Sequence, residues 1–413
     1  MRLGPCSEKL GAAAGWCRNR CERLGPRKPL SRPAASGAAE PRVIALDGLR
    51  GLMTILVVVS HYFGEVPSGT NALCFGWIAV IMFFVLSGYL VGRLILEKKD
   101  RANFVVVFYV RRICRTLPVY FVCVVIVYSI ICLLGASEWV DVRVTFPLWS
   151  YLTFTQNFFM ISTGSIGPHW LAPTWTLTVE EHFYLIAPAV FFLVPRRFLI
   201  PVFTAAILAT LLYRVAVFEA GLLPRMAGLC LLPGVADGLI CGLIAAILIK
   251  TDGINWARYD VALRTGPLAL LLATGALKLV DGDTGTSFDV LSGLTVAIAC
   301  AMYILAIARG APEAKRLESR FYCFWGNNSY SIYLTHLAVL GLMHGFILGT
   351  KPDVASVPQL AVTLAALPAC ALAGWILTKL VERPITNYGR SWRWSEARRQ
   401  PRPLLGGQVA AAA

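Results

Sequence analysis

The chain has 413 residues, 57% of them apolar and 15% charged, against roughly 45–50% and about 25% in soluble domains. This balance excludes a disordered or collagen-like chain, and long continuous apolar runs exclude a membrane β-barrel, which would alternate over ten-residue segments. The formal charge of +15 speaks for topology and anionic lipid headgroups, not for nucleic acid.

Residues 1–42 form a basic, Gly/Pro/Ala-rich tail with nine Lys/Arg and three acidic residues, read as a flexible cytosolic segment. It contains no apolar core of signal-peptide length. Ten apolar runs follow, near 44–63, 74–92, 117–135, 175–194, 198–218, 228–249, 262–280, 290–309, 328–348 and 358–378, each long enough to cross a bilayer as a helix. The shorter apolar stretch 145–160 reads as a partly buried or re-entrant part of an outer loop. The expected fold is therefore all-α, a polytopic membrane protein of about ten transmembrane helices. A membrane domain over 43–384 is followed by a cytosolic tail over 385–413.

Charge sets the orientation. With both termini in the cytosol, cytosolic segments hold 32 of the 38 Lys/Arg. The outer loops hold only Arg143, Arg225, Lys278 and Lys351, while Arg50 and Arg214 remain within spans. Such asymmetry is what insertion produces; counting 145–160 as an eleventh span would destroy it. The cysteines include no C-x-x-C pair, and Cys17 and Cys21 lack clustered histidines, so a metal site is not expected.

Charges inside a bilayer cost about 2.5–3.5 kcal/mol each, so each needs a reason. In the first span, Arg50 and His61 are eleven residues apart, which on a helix is three turns plus roughly 20° and about 16 Å along the axis. Both face one way, as catalytic groups or as a snorkelling anchor and an interfacial histidine. After the second span, Arg111, Arg112 and Arg115 form a compact helical cluster suited to phosphate or to anchoring on anionic lipid. The fourth span, entering from outside, puts Glu180 at a depth close to that of His61, where a carboxylate would hold the imidazole's tautomer. Of Glu181 and His182, only one lines the same cavity. In the ninth span Tyr330, Tyr333 and His336 recur at i+3 and can share a face; the tyrosines suit a site or an interface belt, and His336 either structural hydrogen bonding or substrate contact. Asp237 poses the same choice as His336, and Arg214 has no assigned partner.

Taken in order, these residues resemble the acyltransferase-3 family of integral membrane acyltransferases. The marks run from Leu46 to Pro384: Leu46-Asp47-Gly48-Leu49-Arg50-Gly51 with His61, Phe83-Phe84-Val85-Leu86-Ser87-Gly88-Tyr89, and Arg111-Arg112-x-x-Arg115-x-x-Pro118. They continue with Trp175-Thr176-Leu177-x-x-Glu180, Ser329-Tyr330-x-x-Tyr333-Leu334-x-His336 and Glu382-Arg383-Pro384. Thr176 stands where serine is usual and His182 where glutamine is common.

The resemblance implies transfer of an acyl group, usually acetyl from acetyl-CoA, to a hydroxyl of a carbohydrate, glycan or lipid-linked sugar, or of a small molecule such as a macrolide. On this reading His61 is the general base, with an acyl-histidine as the variant, and Arg50 positions the donor or stabilises oxyanion charge. Glu180 orients His61 or binds the acceptor. Arg93, Arg111, Arg112, Arg115, Ser87 and Tyr89 would hold acyl-CoA, and Asp47, Trp175, Tyr330 and His336 the acceptor. No metal is expected. The expected partners are the hydroxyl acceptor and membrane lipid, and the expected location is the plasma (inner) membrane. A fused hydrolase-like domain is not expected, so any acyl relay to a soluble partner would use a separate protein. The competing class is a transporter or flippase, with Arg50, Glu180 and Asp237 as its polar pathway.

Overall fold

The computed structural model describes residues 43–135, 137–140, 144–282 and 286–396. The basic tail 1–42 and residues 397–413 lie outside the described residues. Among the described residues there is no strand. Ten helical stretches of the described residues are long and apolar enough to span a membrane: Ile44–Gly64, Asn71–Lys98, Phe104–Leu134, His169–Leu193, Arg196–Glu219, Arg225–Ile249, Trp256–Asp281, Ser287–Ala308, Ser329–Leu348 and Val357–Ser391.

Each expected run coincides with one of these, overrunning it by one residue at most, but two helices outrun their apolar stretches. The third starts at Phe104, thirteen residues before its expected start, and the tenth run continues to Ser391. The physical reason is simple. Hydropathy reports the thickness of the lipid, whereas backbone hydrogen bonding carries a helix on into the headgroup region. At 31 residues the third helix is about 46 Å long, well beyond a hydrocarbon core of about 30 Å.

Burial divides the spans into two layers. The first, second, fourth, sixth, eighth and ninth have half or more of their apolar window buried, whereas the fifth and seventh have 22% and 17%. Hydrocarbon tails are as apolar as leucine, so inner contacts rely on close backbone approach. Gly88 and Gly242 supply it between the second and sixth spans. A Cβ on Gly88 would stand 2.0 Å from the Leu239 carbonyl oxygen, and one on Gly242 would stand 2.1 Å from that of Val85.

Three of the spans widen locally into a π-helical turn, at Ser60–Gly64, Val215–Glu219 and Thr378–Glu382.

The loop between the third and fourth spans is re-entrant, as its apolarity suggests. Its short helices Leu148–Leu152 and Gln156–Thr163 bury Ser150, Gln156 and Asn157 completely. Gln156 donates to Tyr120 Oη and to the Thr174 carbonyl, both at 3.3 Å, and Asn157 donates to the carbonyls of Trp175 and Cys230. Trp170 packs against Gly341, deep along the ninth span. The fourth span therefore begins below the surface, with Thr174 2% exposed.

The boundary expected after 384 also moves. Residues 383–391 are helical, and the following segment is clasped to the third helix. Arg111 donates to the carbonyls of Arg390 and Trp392, Asn103 exchanges hydrogen bonds with Ser395, and Trp394 stacks on Phe104. Residues 385–396 thus belong to the packed domain.

Candidate active site

Two polar clusters lie inside this apolar bundle, about three helical turns apart. The first is built on the π turn that ends the first span. His61 Nδ1 and His336 Nε2 are 3.0 Å apart, and His336 Nδ1 is 2.8 Å from the Tyr333 carbonyl oxygen. A carbonyl only accepts, so Nδ1 of a neutral His336 carries the proton and its Nε2 is an acceptor. His61 therefore donates from Nδ1, which leaves its Nε2 as a bare lone pair. His336 is fully buried, and the Tyr62 hydroxyl donates to its backbone carbonyl at 2.9 Å.

His61 Nε2 faces Glu65 Oε2 at 3.6 Å. The other Glu65 oxygen accepts from Ser60 Oγ at 3.0 Å, and Ser60 Oγ accepts from the Gly76 amide at 3.1 Å. Glu65 was not among the expected site residues. Its i+4 spacing from His61 was the available signal, but its position past the apolar run hid it.

The second cluster gathers arginines and carboxylates. Glu180 Oε1 accepts from Ser87 Oγ at 2.6 Å and Oε2 from Tyr184 Oη at 3.0 Å. Glu181 accepts from Thr116 Oγ1 at 2.8 Å. Arg112 lies over the Tyr184 ring, 4.9 Å from its centroid, and its charge acts on Glu180 and Glu181. Arg50 interacts electrostatically with Arg115, Glu382, Asp47 and Glu180. Glu382 in turn accepts from Ser331 and Thr378.

The expected depth of Glu180 is corrected by this network. The Gly76–Ser60 bond sets the start of the second span level with the turn carrying His61. Ser87 is eleven residues further, about 16 Å along the axis, and it holds Glu180. Glu180 is thus level with Arg50, and the group touching His61 is His336. The cause is the re-entrant loop, which starts the fourth span inside the bundle.

The remaining expected residues divide between these clusters and the scaffold. Arg112 faces the carboxylates and Arg115 acts electrostatically on Arg112 and Arg50, but Arg111 is diverted to the C-terminal segment, where it also lies over the Trp394 ring at 5.0 Å. Arg93 pairs with Glu97, which also binds Lys250. Ser87 is a ligand of Glu180, and Tyr89 is fully buried in the core shared by the first, second and eighth spans. Tyr330 donates to the Thr116 carbonyl at 2.9 Å. The Tyr333 and Thr176 hydroxyls pair at 3.0 Å between the two clusters. Asp47 stands one turn before Arg50. Trp175 packs edge-on against Phe84, 6.1 Å between centroids.

Arg214 and Asp237 resolve each other. Their side chains form a bidentate pair at 2.8 and 3.0 Å, and Arg214 also donates to the carbonyls of Gly234 and Val290. A charge locked in this way is a poor element of a transport pathway.

Ten membrane-length helices among the described residues, surrounding a histidine pair and an arginine–carboxylate cluster, define a multi-pass membrane protein with a polar interior. The chain belongs to the acyltransferase-3 family: residues 43–379 match its acyltransferase domain. It is similar to a protein named "Putative O-acetyltransferase" from Staphylococcus aureus (strain COL), with 24% identity over 338 residues, 73% of this chain and 51% of that protein. It is also similar to O-acetyltransferase OatA of Staphylococcus aureus (strain NCTC 8325 / PS 47), with 24% identity over 385 residues, 84% of this chain and 58% of OatA. The chain thus spans about half the length of the curated relatives it matches. No solved structure matches it.

Proposed function

We propose that the protein is a membrane O-acyltransferase that moves an acyl group, acetyl by analogy with its relatives' names, from acyl-CoA to a hydroxyl of a carbohydrate, glycan or glycolipid. The observation that carries this reading is the His61–His336 contact with its carbonyl anchor, which leaves His61 Nε2 free to take a proton.

The donor's polyanionic nucleotide binds at the Arg112 and Arg115 end, cytosolic in the expected orientation, with Arg50 deeper in the same cluster. About 16 Å separates Arg50 from His61, so Arg50 serves the donor and not the oxyanion at the reacting carbonyl. The extended pantetheine arm covers that distance past Thr176 and Tyr333. At the upper end His61 Nε2 removes the acceptor hydroxyl's proton as the oxygen attacks the thioester carbonyl. The C–S bond breaks, the C–O ester bond forms, and the proton passes from the imidazolium to the CoA thiolate. Glu65, beside Nε2, stabilises the imidazolium during this interval, and His336 holds the ring in the productive tautomer.

Purified His61→Gln protein tests the reading. Glutamine keeps volume and a polar contact but cannot take a proton at neutral pH. Single-turnover transfer from acetyl-CoA should fall about 10²–10⁴-fold with donor affinity unchanged. A near-wild-type rate would refute the mechanism.

A further inference from the structure

A cavity of about 450 Å³ lies between the second, fourth, fifth, sixth and eighth spans, walled by Trp77, Phe84, Trp175, Phe218 and Phe288 among others. Trp77, Ile166 and Leu229, exposed lining residues, mark its mouth. The rim carries charge of both signs, all of it engaged. Arg225 pairs with Asp289, and Lys278 Nζ donates to the Gly282 carbonyl at 3.0 Å. Asp281 accepts from the Phe288 amide at 2.8 Å, and Glu219 accepts from the Thr286 hydroxyl. A charged headgroup of either sign meets its own sign here, and every opposite charge already has a partner.

The inner end is different, because it holds polar hydrogens without acceptors. Arg214 is 4% exposed. Of its five N–H groups, four are taken, by the two Asp237 oxygens and by the carbonyls of Gly234 and Val290. One N–H on Nη2 has no acceptor among the described residues. Ser292, one helical turn further in than Phe288, is 8% exposed. Its carbonyl accepts from Thr295 Oγ1 at 3.0 Å, whereas its hydroxyl has no partner among the described residues. The next residue, Gly293, packs directly on the guanidinium, since a Cβ there would stand 2.4 Å from Arg214 Nη2. Arg214 and Ser292 both line the cavity, so donors from two spans serve its inner end. Asp237 neutralises the arginine, and buried donors are rarely left unmet.

We infer that this cavity binds an uncharged, mainly hydrocarbon molecule with a ketone or ester carbonyl at one end, its oxygen on Arg214 and Ser292 and its chain along the aromatic wall. A carbonyl is the match because its oxygen accepts two hydrogen bonds and donates none. A plain hydrocarbon leaves both donors unmet, and a carboxylate brings an unpaired charge beside Asp237 into apolar surroundings. A cavity of about 150 Å³ holds one benzene ring, so this one takes roughly fifteen to eighteen non-hydrogen atoms. The fifth span, which forms one wall, is mostly turned to lipid, so such a molecule can arrive from the bilayer. The inference does not rest on the proposed reaction, since no residue of the histidine or carboxylate clusters lines the cavity.

The test is titration of the full-length protein in neutral detergent with tetradecan-2-one, tetradecane and tetradecanoate, read by native mass spectrometry. Saturable binding of the ketone is expected, with the alkane and the carboxylate both weaker. Ser292→Ala should weaken the ketone roughly 2–10-fold, as loss of one neutral hydrogen bond does, and leave tetradecane unchanged. Alanine suits a helix, so the thermal midpoint should be retained. Leu229→Trp, at the exposed mouth, should obstruct entry and weaken ketone and alkane alike. Tetradecane binding as tightly as the ketone would reveal a plain apolar void, and tetradecanoate binding more tightly would reveal an anion site; either overturns the inference. Absence of saturable ketone binding, or an undiminished ketone affinity in Ser292→Ala or in Leu229→Trp, overturns it as well.

Discussion

At the scale of single residues, the histidine pair makes a sharp distinction. His336→Ala removes the acceptor for His61 Nδ1–H and frees the ring to adopt either tautomer. His336→Gln restores an acceptor oxygen near the same place. The alanine variant should therefore lose about 10²-fold or more in single-turnover rate, by analogy with other tautomer-fixing partners, while the glutamine variant recovers part of it. Equal losses in both, with intact donor binding, would give His336 a different role. The arginines separate in the same way. Arg112→Ala should weaken acyl-CoA binding roughly 10–150-fold, as loss of a charged contact does, measured by equilibrium titration. Arg111→Ala should leave that affinity nearly unchanged and instead expose residues 392–396 to protease, because its bonds go to the Trp392 and Arg390 carbonyls. The separation of Arg50 from His61 along one span was legible from their spacing of eleven residues. The partner of His61 was not, because it lies 275 positions away and only tertiary packing brings it there.

At the scale of elements, apolar length located all ten spans but misjudged where some helices begin and end. The third helix continues through its arginines, and the fourth starts inside the bundle because Gln156 and Asn157 tie the re-entrant loop to its first residues. No hydropathy pattern carries that information, since hydrogen bonds to buried carbonyls leave no periodicity. The Arg214–Asp237 pair joins the fifth and sixth spans and gives this scale its test. Arg214→Met leaves a carboxylate buried without its partner and should destabilise the fold by about 3–5 kcal/mol, seen as a lowered thermal midpoint in detergent. The double variant Arg214→Met, Asp237→Leu should recover most of the loss, because an apolar pair of similar volume carries no desolvation cost. A double variant as unstable as the single one would mean that the fold depends on the ion pair itself.

At the scale of the whole molecule, the charge asymmetry and the helix count lead to one expected orientation. It places the face carrying Lys98, Arg112 and Lys379 in the cytosol and the face carrying His61 and the loop between the third and fourth spans outside. Cysteines introduced at Asp100 and at Ser165 in a background without other accessible thiols should label from opposite sides of intact cells. Labelling from one side would overturn the arrangement and, with it, the direction of acyl movement. In that orientation the two polar clusters sit towards opposite membrane faces, and the proposed reaction would let donor and acceptor occupy different compartments.

The three widened helical turns have a consequence of a different kind. A π turn holds one residue more than an α-helix of the same height, and two of these turns carry His61 and Glu382, while the third follows directly on Arg214. Each is in effect a spare residue stored in a span whose overall height lipid thickness constrains. Removing one residue from Ser60–Gly64 would let the span close as ordinary helix at nearly the same height, while changing which side chain of that turn points at His336. Insertion would tolerate the change, and the His61 ring would no longer meet its partner. Such turns are adjustable joints: a lineage can gain or lose one residue there and re-aim a buried polar side chain without rebuilding the membrane domain around it.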